Sequence, residues 1–177
     1  MARFEPCAMS ALQAERDFHR MAPPFLYDLT RLDLNKIIIP IEEIRKFNPQ
    51  RFEMEQLSGI IHLDHATLTA VGVKELTDHE FWIRGHIPGR PLMPGVIMLE
   101  AAAQLCAYVA HREMPEAGFI GFAKCDETRF RGAVSPPGKF YVIAQMTSMN
   151  RRRVVANCQG IYNGTLVFET IITGMPV

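Results

Sequence analysis

The sequence HIPGRPLMPGVIMLEAAAQ, which spans residues 86–104, determines how the rest of this 177-residue chain is arranged. Three prolines and two glycines between residues 88 and 95 restrict the backbone to few conformations. From there to about residue 111 almost every residue is apolar, and a helix that is apolar on all sides is typically buried. The stretch therefore predicts a rigid loop followed by one buried helix.

Both ends of this predicted helix have recognisable signals. Pro94 suits the first helical position, because the N–H that proline lacks would have no partner there. His111 and Arg112 suit the last turn, and Pro115 prevents the helix from continuing. The apolar run is too short, and too interrupted by polar residues, to cross a membrane, so no membrane insertion is expected.

Two polar residues lie inside the predicted helix. Glu100 and Gln104 are four residues apart and therefore share one face. Because a buried, unpaired carboxylate is costly, the functional interpretation is a carboxyl group that stays partly protonated and donates a proton. The alternative is a glutamate at a solvent-facing edge or one paired with an arginine. The loop favours the functional interpretation, since it supplies His86, and histidine is the side chain most often suited to proton transfer near neutral pH.

The loop and the helix together resemble a known enzyme family. The sequence GHIPGRPLMPG at residues 85–95, with a glutamate five residues later and a glutamine four beyond it, is similar to the (3R)-hydroxyacyl-acyl-carrier-protein dehydratases of bacterial fatty-acid synthesis. The resemblance runs from about Leu57 to the C-terminus, with a short similarity at residues 24–26. It implies a hotdog fold, in which a curved antiparallel sheet wraps around one long helix, and a homodimer or a higher assembly of dimers.

The resemblance also implies roles for individual residues. His86 would be the base that removes the C2 proton of a 3-hydroxyacyl chain on acyl carrier protein, and Glu100 the acid that protonates the departing 3-hydroxyl. Gln104 would orient Glu100. In the family the matching histidine and glycine come from one subunit and the glutamate from its partner. No cofactor is implied.

The start of the helix is where the thioester carbonyl is expected to bind. A helix N-terminus offers unpaired N–H groups and the positive end of the helix dipole, and Gly95 allows close approach. Phe81 and the neighbouring Trp82 are expected in the core, or else along the acyl channel. The expected substrate-binding residues are Phe81, Pro94, Gly95, Val96 and Gln104.

Two positions bear on which reaction is expected. Ile87 stands where the family commonly has phenylalanine, a change that can reshape the substrate tunnel without altering the chemistry. The acid is Glu100, whereas the related subfamily that also isomerises the double bond typically has aspartate. Glu100 therefore favours a plain dehydratase.

Two other functions remain open from the sequence. Other hotdog proteins hydrolyse acyl thioesters with a carboxylate and water, and such an enzyme would not need the loop that contains His86. A non-enzymatic protein that binds acyl thioesters is the second alternative, and the presence of both His86 and Glu100 argues against it.

Composition predicts a single domain over residues 1–177. Hydrophobic residues make up 48% of the chain, enough for one core. The formal net charge is zero, so charge does not favour nucleic acid as a partner. The four cysteines are scattered without a CxxC motif, and no signal peptide is recognisable. We therefore expect reduced thiols and a cytoplasmic protein.

Two segments are expected in addition to the family domain. Residues 1–22 form an N-terminal extension in which Ser10 can cap a short helix over residues 11–19. Residues 28–54 form an added segment with a short helix that begins near Pro40 and ends at Asn48-Pro49. This added segment is expected to cover a flank of the domain, or alternatively to shape the substrate entrance.

The remaining pattern predicts strands on both sides of the helix, in an α+β domain. The expected strands cover residues 60–63, 68–73, 119–130, 140–145, 154–162 and 165–173. The strand at residues 140–145 is apolar on both faces and is expected to be covered on both. Asn163-Gly164 predicts a tight hairpin, because a type I′ turn needs positive φ at both positions.

Two further groups of side chains have alternative interpretations. His62, His65, His79 and His86 do not have the spacing of metal ligands, so no metal site is expected. The basic run at residues 151–153 is either a solvated strand end or a docking patch for an acidic carrier protein. The other candidates for such a patch are Lys124, Arg129, Arg131 and Lys139.

Overall fold

The computed structural model describes residues 23–177. The short helix predicted for residues 11–19 lies outside this range. Within the described residues the chain forms one antiparallel sheet packed against one long helix. This is the arrangement that the expected hotdog fold requires.

The sheet has seven strands in the described part of the chain. They are β1 (Ile39–Pro40), β2 (Gly59–Asp64), β3 (Thr69–Leu76), β4 (Ile120–Phe130), β5 (Gly138–Asn150), β6 (Arg153–Tyr162) and β7 (Thr165–Pro176). Their order across the sheet is β1-β2-β3-β5-β6-β7-β4. The strand that follows the long helix therefore lies at one edge of the sheet, and each predicted strand is present.

The helices are α1 (Ile41–Ile44) and α2 (Gly95–Glu113). Single 3₁₀ turns occur at Leu29–Arg31, Phe52–Met54 and Pro115–Ala117. Helix α2 begins one residue later than predicted. Pro94 has a ψ of 137°, which is extended, and its carbonyl accepts from Ile97 N at 2.9 Å. Pro94 is therefore the N-cap and not the first helical residue.

The prediction that α2 is buried on all sides is wrong. Ala101, Leu105 and Val109 are fully buried against the sheet. On another face Val96 is 68% exposed. Four residues on this face, spaced three or four positions apart, are only partly buried. They are Glu100, Ala103, Ala107 and His111. The sheet covers only one side of the helix, so this face stays accessible within a single chain.

The other face of the sheet has its own apolar cover. In β5, Phe140, Val142 and Ala144 pack in the helix-side core, while Ile143 and Tyr141 pack on the outer face. Both faces of this strand are therefore covered, as its sequence predicted. The outer cluster is closed by side chains that precede β1, namely Leu26, Tyr27, Leu29, Leu32 and Leu34.

The last hairpin forms as predicted. Asn163 and Gly164 have φ values of 49° and 72°, the left-handed conformation that a type I′ turn requires. Cys106 of α2 and Cys158 of β6 meet in the core, with 3.4 Å between their sulfur atoms. The hydrogen bond to Cys106 and burial both raise the pKa of the Cys158 thiol, so Cys158 remains protonated.

Candidate active site

The loop before α2 holds His86 at the surface. Ile87, Pro88, Gly89 and Arg90 form a tight turn closed by a hydrogen bond of 3.0 Å from Arg90 N to Ile87 O. Gly89 has a φ of 80°, and proline followed by glycine is the sequence that a type II turn demands. The His86 N–H donates to Trp82 O at 2.8 Å, while its imidazole ring lies on the exposed side of the chain. Local sequence alone therefore fixes the position of His86.

The start of α2 presents backbone donors beside His86. Gly95 and Val96 are the first two helical residues, whose N–H groups have no partner inside a helix. No side chain among residues 23–177 caps this end of the helix. Both residues line the same pocket as His86, so the predicted carbonyl site and the predicted base lie together.

We refer to this open depression as the His86 pocket. Its lining residues are His86, Leu92, Met93, Gly95, Val96, Met98, Phe130, Arg131, Gly132 and Ala133. Phe130 closes one side of it and stacks on Phe168 with 5.4 Å between ring centroids. A Cβ at Gly95 would lie 2.7 Å from the Phe130 ring, so only glycine fits here without displacing that ring.

Glu100 lies in a different cavity, which we call the Glu100 cavity. Its volume is about 140 Å³. Its lining is Gln50, Glu100, Ala103, Cys106, Ala107, Phe119, Ile120, Gly121, Phe122, Met146, Val154, Ala156, Ile172 and Gly174. None of these residues also lines the His86 pocket. The cavity is thus lined mainly by apolar side chains, with the half-buried Glu100 carboxyl group on its wall.

Gln104 contacts Glu100 directly. Its Nε2 donates to Glu100 Oε1 at 2.7 Å and to Met54 O at 2.6 Å. Its Oε1 accepts from Gln56 N at 2.9 Å. Because one end of the amide is held by a backbone N–H and the other by a backbone carbonyl, Gln104 has a single orientation. One Nε2 hydrogen of Gln104 therefore faces Glu100, and the other faces Met54 O.

The added segment supports this network. Asn48 Nδ2 donates to Gln104 O at 2.8 Å. Arg45 and Glu55 form a bidentate ion pair of 2.6 and 2.8 Å that ties α1 to the residues before β2. The hydrogen bond from Arg45 lowers the pKa of the Glu55 carboxyl. The segment covers the flank of the domain, as predicted, and it also lines the Glu100 cavity through Gln50.

Phe81 occupies a different position from the two pockets. It is 48% exposed, so the expectation that it packs in the core is wrong, whereas its neighbour Trp82 is buried. The tight turn that follows Thr77 directs Trp82 inward and leaves Phe81 outside. Phe81 lines a surface depression with Phe52 and the buried ion pair of Lys74 and Glu80. Within one chain it meets neither His86 nor Glu100, and its contact with substrate stays a prediction.

The basic side chains divide into two groups. Lys124, Arg129, Arg131 and Lys139 each pair with a carboxylate. The run at residues 151–153 is exposed at the turn between β5 and β6. That turn leads directly to Val154, which lines the Glu100 cavity. A docking role for this run stays a prediction.

The described residues contain no group of three or more His, Cys, Asp and Glu side chains arranged to hold a metal ion. No helix in residues 23–177 is long and apolar enough to span a membrane.

The model of the FabA-like domain family matches residues 48–171 of this chain. The match starts nine residues before Leu57 and so includes the end of the added segment. A curated relative, 3-hydroxyacyl-[acyl-carrier-protein] dehydratase FabZ of Herpetosiphon aurantiacus, is 32% identical over 133 residues, which are 75% of this chain and 94% of that protein. This chain belongs to the FabA-like domain family. Membership agrees with the resemblance found in the loop and helix.

Solved structures show that the fold is shared more widely. The dehydratase heterocomplex ApeI:P from Xenorhabdus doucetiae aligns with a TM-score of 0.64 at 11% identity, covering 76% of this chain and 90% of that one. A hypothetical thioesterase protein with coenzyme A from Streptococcus pneumoniae aligns with a TM-score of 0.57 at 9% identity, covering 77% and 96%. Likenesses this distant establish the fold alone.

Three contacts of the site are missing from the expectations based on sequence. Gln50 lines the Glu100 cavity, Gln56 N holds Gln104, and Phe130 packs over Gly95. The polar run before β2 gave no periodic signal that would place Gln50 inward. Phe130 ends an exposed strand, and only its position relative to α2 shows its importance.

Proposed function

We propose that this chain is a 3-hydroxyacyl-[acyl-carrier-protein] dehydratase, which removes water from a 3-hydroxyacyl thioester to give the trans-2-enoyl thioester. Membership of the FabA-like domain family and the names of the curated relatives support this activity. The arrangement of His86, the start of α2 and Glu100 supplies the three groups that the reaction needs.

In this proposal His86 and Glu100 move protons in opposite directions. His86 accepts the C2 proton, and Glu100 donates a proton to the departing 3-hydroxyl, because hydroxide is a poor leaving group. The products are the enoyl thioester and water. Gln104 holds one oxygen of Glu100 through its donor Nε2, which leaves the other oxygen to carry the proton.

The amides of Gly95 and Val96 stabilise the thioester oxygen as negative charge develops on it. Donors fixed at a helix start need no reorganisation during the reaction, and such donors commonly contribute a factor of about 10² to 10³ in rate. Phe130 lines the pocket in front of these donors, and Pro94 is the buried N-cap that precedes them. Gly95 is required there because a Cβ would lie 2.7 Å from the Phe130 ring and displace it.

A complete site in this proposal needs two copies of the chain. The His86 pocket includes Phe130 at the end of β4, while the Glu100 cavity includes residues 119–122 at its start. Strand β4 lies at the edge of the sheet, and among residues 23–177 no other strand pairs with its free side. Exposed edge strands with apolar side chains are ready to pair with another chain.

Antiparallel pairing of β4 with a second copy brings together two half-sites, by which we mean the His86 pocket of one chain and the Glu100 cavity of the other. In a two-fold pair the start of one strand lies beside the end of the other. The Glu100 cavity of one chain then meets the His86 pocket of its partner. The position of the two half-sites at opposite ends of an edge strand is the observation that most directly supports a homodimeric dehydratase.

The substrate in this proposal is presented by acyl carrier protein in the cytoplasm. Carrier proteins are acidic, and the exposed basic run at residues 151–153 lies next to the strand that lines the Glu100 cavity. Complementary charge raises the rate of encounter and makes it sensitive to salt. No cofactor takes part.

Turnover of a 3-hydroxyacyl carrier-protein thioester, followed by mass spectrometry of the product, tests the proposal. We expect a product lighter by one water, with the conjugated enoyl thioester intact. Release of free thiol without enoyl product would instead indicate a thioester hydrolase. Binding of the acyl carrier protein with neither product would indicate a non-enzymatic acyl-binding protein.

A further inference from the structure

The Glu100 cavity contains an amide side chain to which the proposed chemistry has given no role. Apart from Glu100 and the Cys106 thiol, which contacts Cys158, Gln50 supplies the only polar side chain of its lining. Gln50 also borders a small space beside Gln104. It therefore lies at the end of the cavity where Glu100 and Gln104 meet.

The side-chain oxygen of Gln50 is buried, and it has no hydrogen-bond partner among residues 23–177. A buried acceptor without a partner is unfavourable, because it loses its hydrogen bonds to water and gains nothing in return. Such a group is retained at a binding site when the ligand supplies the missing donor. Apart from Glu100 and Cys106, the other side chains of the lining are apolar, so few side chains compete with Gln50 for a donor that enters the cavity.

The backbone around Gln50 is held firmly. Arg51 donates through Nη1 to Asn48 O at 2.8 Å and to Gln50 O at 2.6 Å. Its Nη2 donates to Arg45 O at 2.9 Å. Asn48 is in turn bonded to Gln104 O. The same network thus fixes both Gln50 and the residue that orients Glu100.

The proposed reaction brings one donor to this cavity. When Glu100 protonates the departing hydroxyl, its proton goes to a lone pair of the hydroxyl oxygen. The O–H bond of that hydroxyl then needs an acceptor that is not Glu100. If an acceptor lies on the side of the 3-hydroxyl away from Glu100, the O–H bond points to that acceptor and a lone pair of the hydroxyl oxygen faces Glu100. Proton transfer from Glu100 requires this orientation.

We propose that Gln50 contacts the substrate and that its amide oxygen accepts a hydrogen bond from the 3-hydroxyl, thereby selecting 3-hydroxyacyl chains over chains that lack this group. The inference rests on the proposed dehydratase function. It gives a residue of the added segment a direct role in substrate choice. After the elimination step, the same oxygen accepts a hydrogen bond from the water that is released.

The test replaces Gln50 with methionine, which has a similar length and no acceptor oxygen. We expect Gln50→Met to lower kcat/KM for the 3-hydroxyacyl carrier-protein thioester about 10- to 100-fold. Inhibition by the saturated acyl thioester of the same chain length should stay unchanged. The control is Gln145→Met on β5, which removes a partly buried glutamine away from both pockets.

A binding measurement separates this inference from the proposed function. In a His86→Ala background, which stops turnover, affinity is measured for the 3-hydroxyacyl and the saturated acyl carrier protein. We expect a preference for the hydroxylated chain that Gln50→Met removes. An unchanged preference, or an equal loss of affinity for both chains, would overturn the inference. Absence of enoyl product from the unmodified protein would contradict the dehydratase, and the binding comparison would still decide the role of Gln50.

Discussion

The His86 pocket and the Glu100 cavity are built in different ways. The His86 pocket is an open depression formed by a proline-glycine turn and by the backbone amides at the start of a helix. The Glu100 cavity is more enclosed and lined mainly by apolar side chains, and its carboxyl group is held by a side-chain network. One half-site is rigid because of its backbone, and the other because of contacts between distant segments.

This difference matches the tasks that we assign to the two half-sites. The base and the carbonyl donors must meet an incoming thioester, so they face outwards at the chain surface. The acid must hold a proton away from water, so it lies on the wall of an apolar cavity. In the proposed mechanism neither half-site is sufficient alone, and β4 has them at opposite ends of the sheet edge where a second copy can pair.

The largest expected effect comes from removing the acid or the base. We expect His86→Ala and Glu100→Gln each to lower kcat by about 10² to 10⁴, the usual contribution of a positioned acid or base. The measurement is steady-state formation of the enoyl product.

His65→Ala and Glu113→Gln are matched controls for these two variants. His65 and Glu113 form an ion pair at the other end of α2, with 2.6 Å between His65 Nδ1 and Glu113 Oε1. We expect both controls to keep normal turnover. Turnover at the unmodified rate in either His86→Ala or Glu100→Gln would disprove the assignment of that residue.

A substitution at Gly95 tests the His86 half-site alone. We expect Gly95→Ala to lower kcat/KM about 100-fold, because the added Cβ displaces the Phe130 ring, which forms one wall of the pocket beside the amide donors. The double variant Gly95→Ala/Phe130→Leu relieves the collision. It should regain thermal stability without regaining activity, whereas full recovery of activity would show that the clash was the entire defect.

A substitution at Gln104 tests the Glu100 half-site alone. Gln104→Met keeps the length of the side chain and removes its hydrogen bonds to Glu100, Met54 and Gln56. We expect kcat to fall about tenfold, since a poorly oriented acid transfers its proton less efficiently. KM should stay nearly unchanged, because Gln104 acts on the acid and not on the bulk of the acyl chain. A lower melting temperature with an unchanged kcat would mean that Gln104 has only a structural role.

The smallest effect concerns the ion pair that ties the added segment to the domain. The hydrogen bond from Arg45 lowers the folded-state pKa of Glu55 below its ordinary value of 4.5, so ionised Glu55 favours the folded state. This contribution is complete above the unfolded-state pKa and is lost as the pH falls through the lowered folded-state value. Arg45→Met should therefore reduce stability to urea at pH 7, and the difference should shrink below pH 4.5.

Lys46→Met is the control for the ion pair, because Lys46 pairs with Glu43 on a solvent-exposed face where such pairs contribute little. We expect it to unfold like the unmodified protein at both pH values. A difference between Arg45→Met and the unmodified protein that stays constant with pH would show that Arg45 acts through packing instead of through Glu55.

Local signals in the sequence predicted much of the fold and one contact of the proposed site. The Asn163-Gly164 hairpin and the strands follow from turn chemistry and alternation, and the Glu100–Gln104 contact follows from helical spacing. Each of these depends on residues only a few positions apart. The start of α2 differed from the prediction by one residue, because Pro94 serves as the cap.

Contacts between distant segments could not be predicted. Gln56 lies 48 residues from Gln104, and no periodic pattern links them. Gln50 lines the Glu100 cavity because the added segment packs beside α2. The residues next to Gln50 in the sequence do not indicate this position. The outward position of Phe81 likewise depends on which of two adjacent aromatic residues the turn directs into the core.

The central claim is that His86 and Glu100 of one complete site come from different chains. The direct test combines the two inactive variants in one dimer. Differently tagged His86→Ala and Glu100→Gln chains are produced together, and the species with both tags is purified. In that heterodimer one site has lost both groups, while the other retains His86 from one chain and Glu100 from its partner.

The account predicts that this heterodimer regains about half of the activity of the unmodified dimer, because one of its two symmetry-related sites is intact. Each variant alone stays inactive. A stable heterodimer that forms no enoyl product, beside an active unmodified dimer, would show that His86 and Glu100 act within a single chain and would contradict the account.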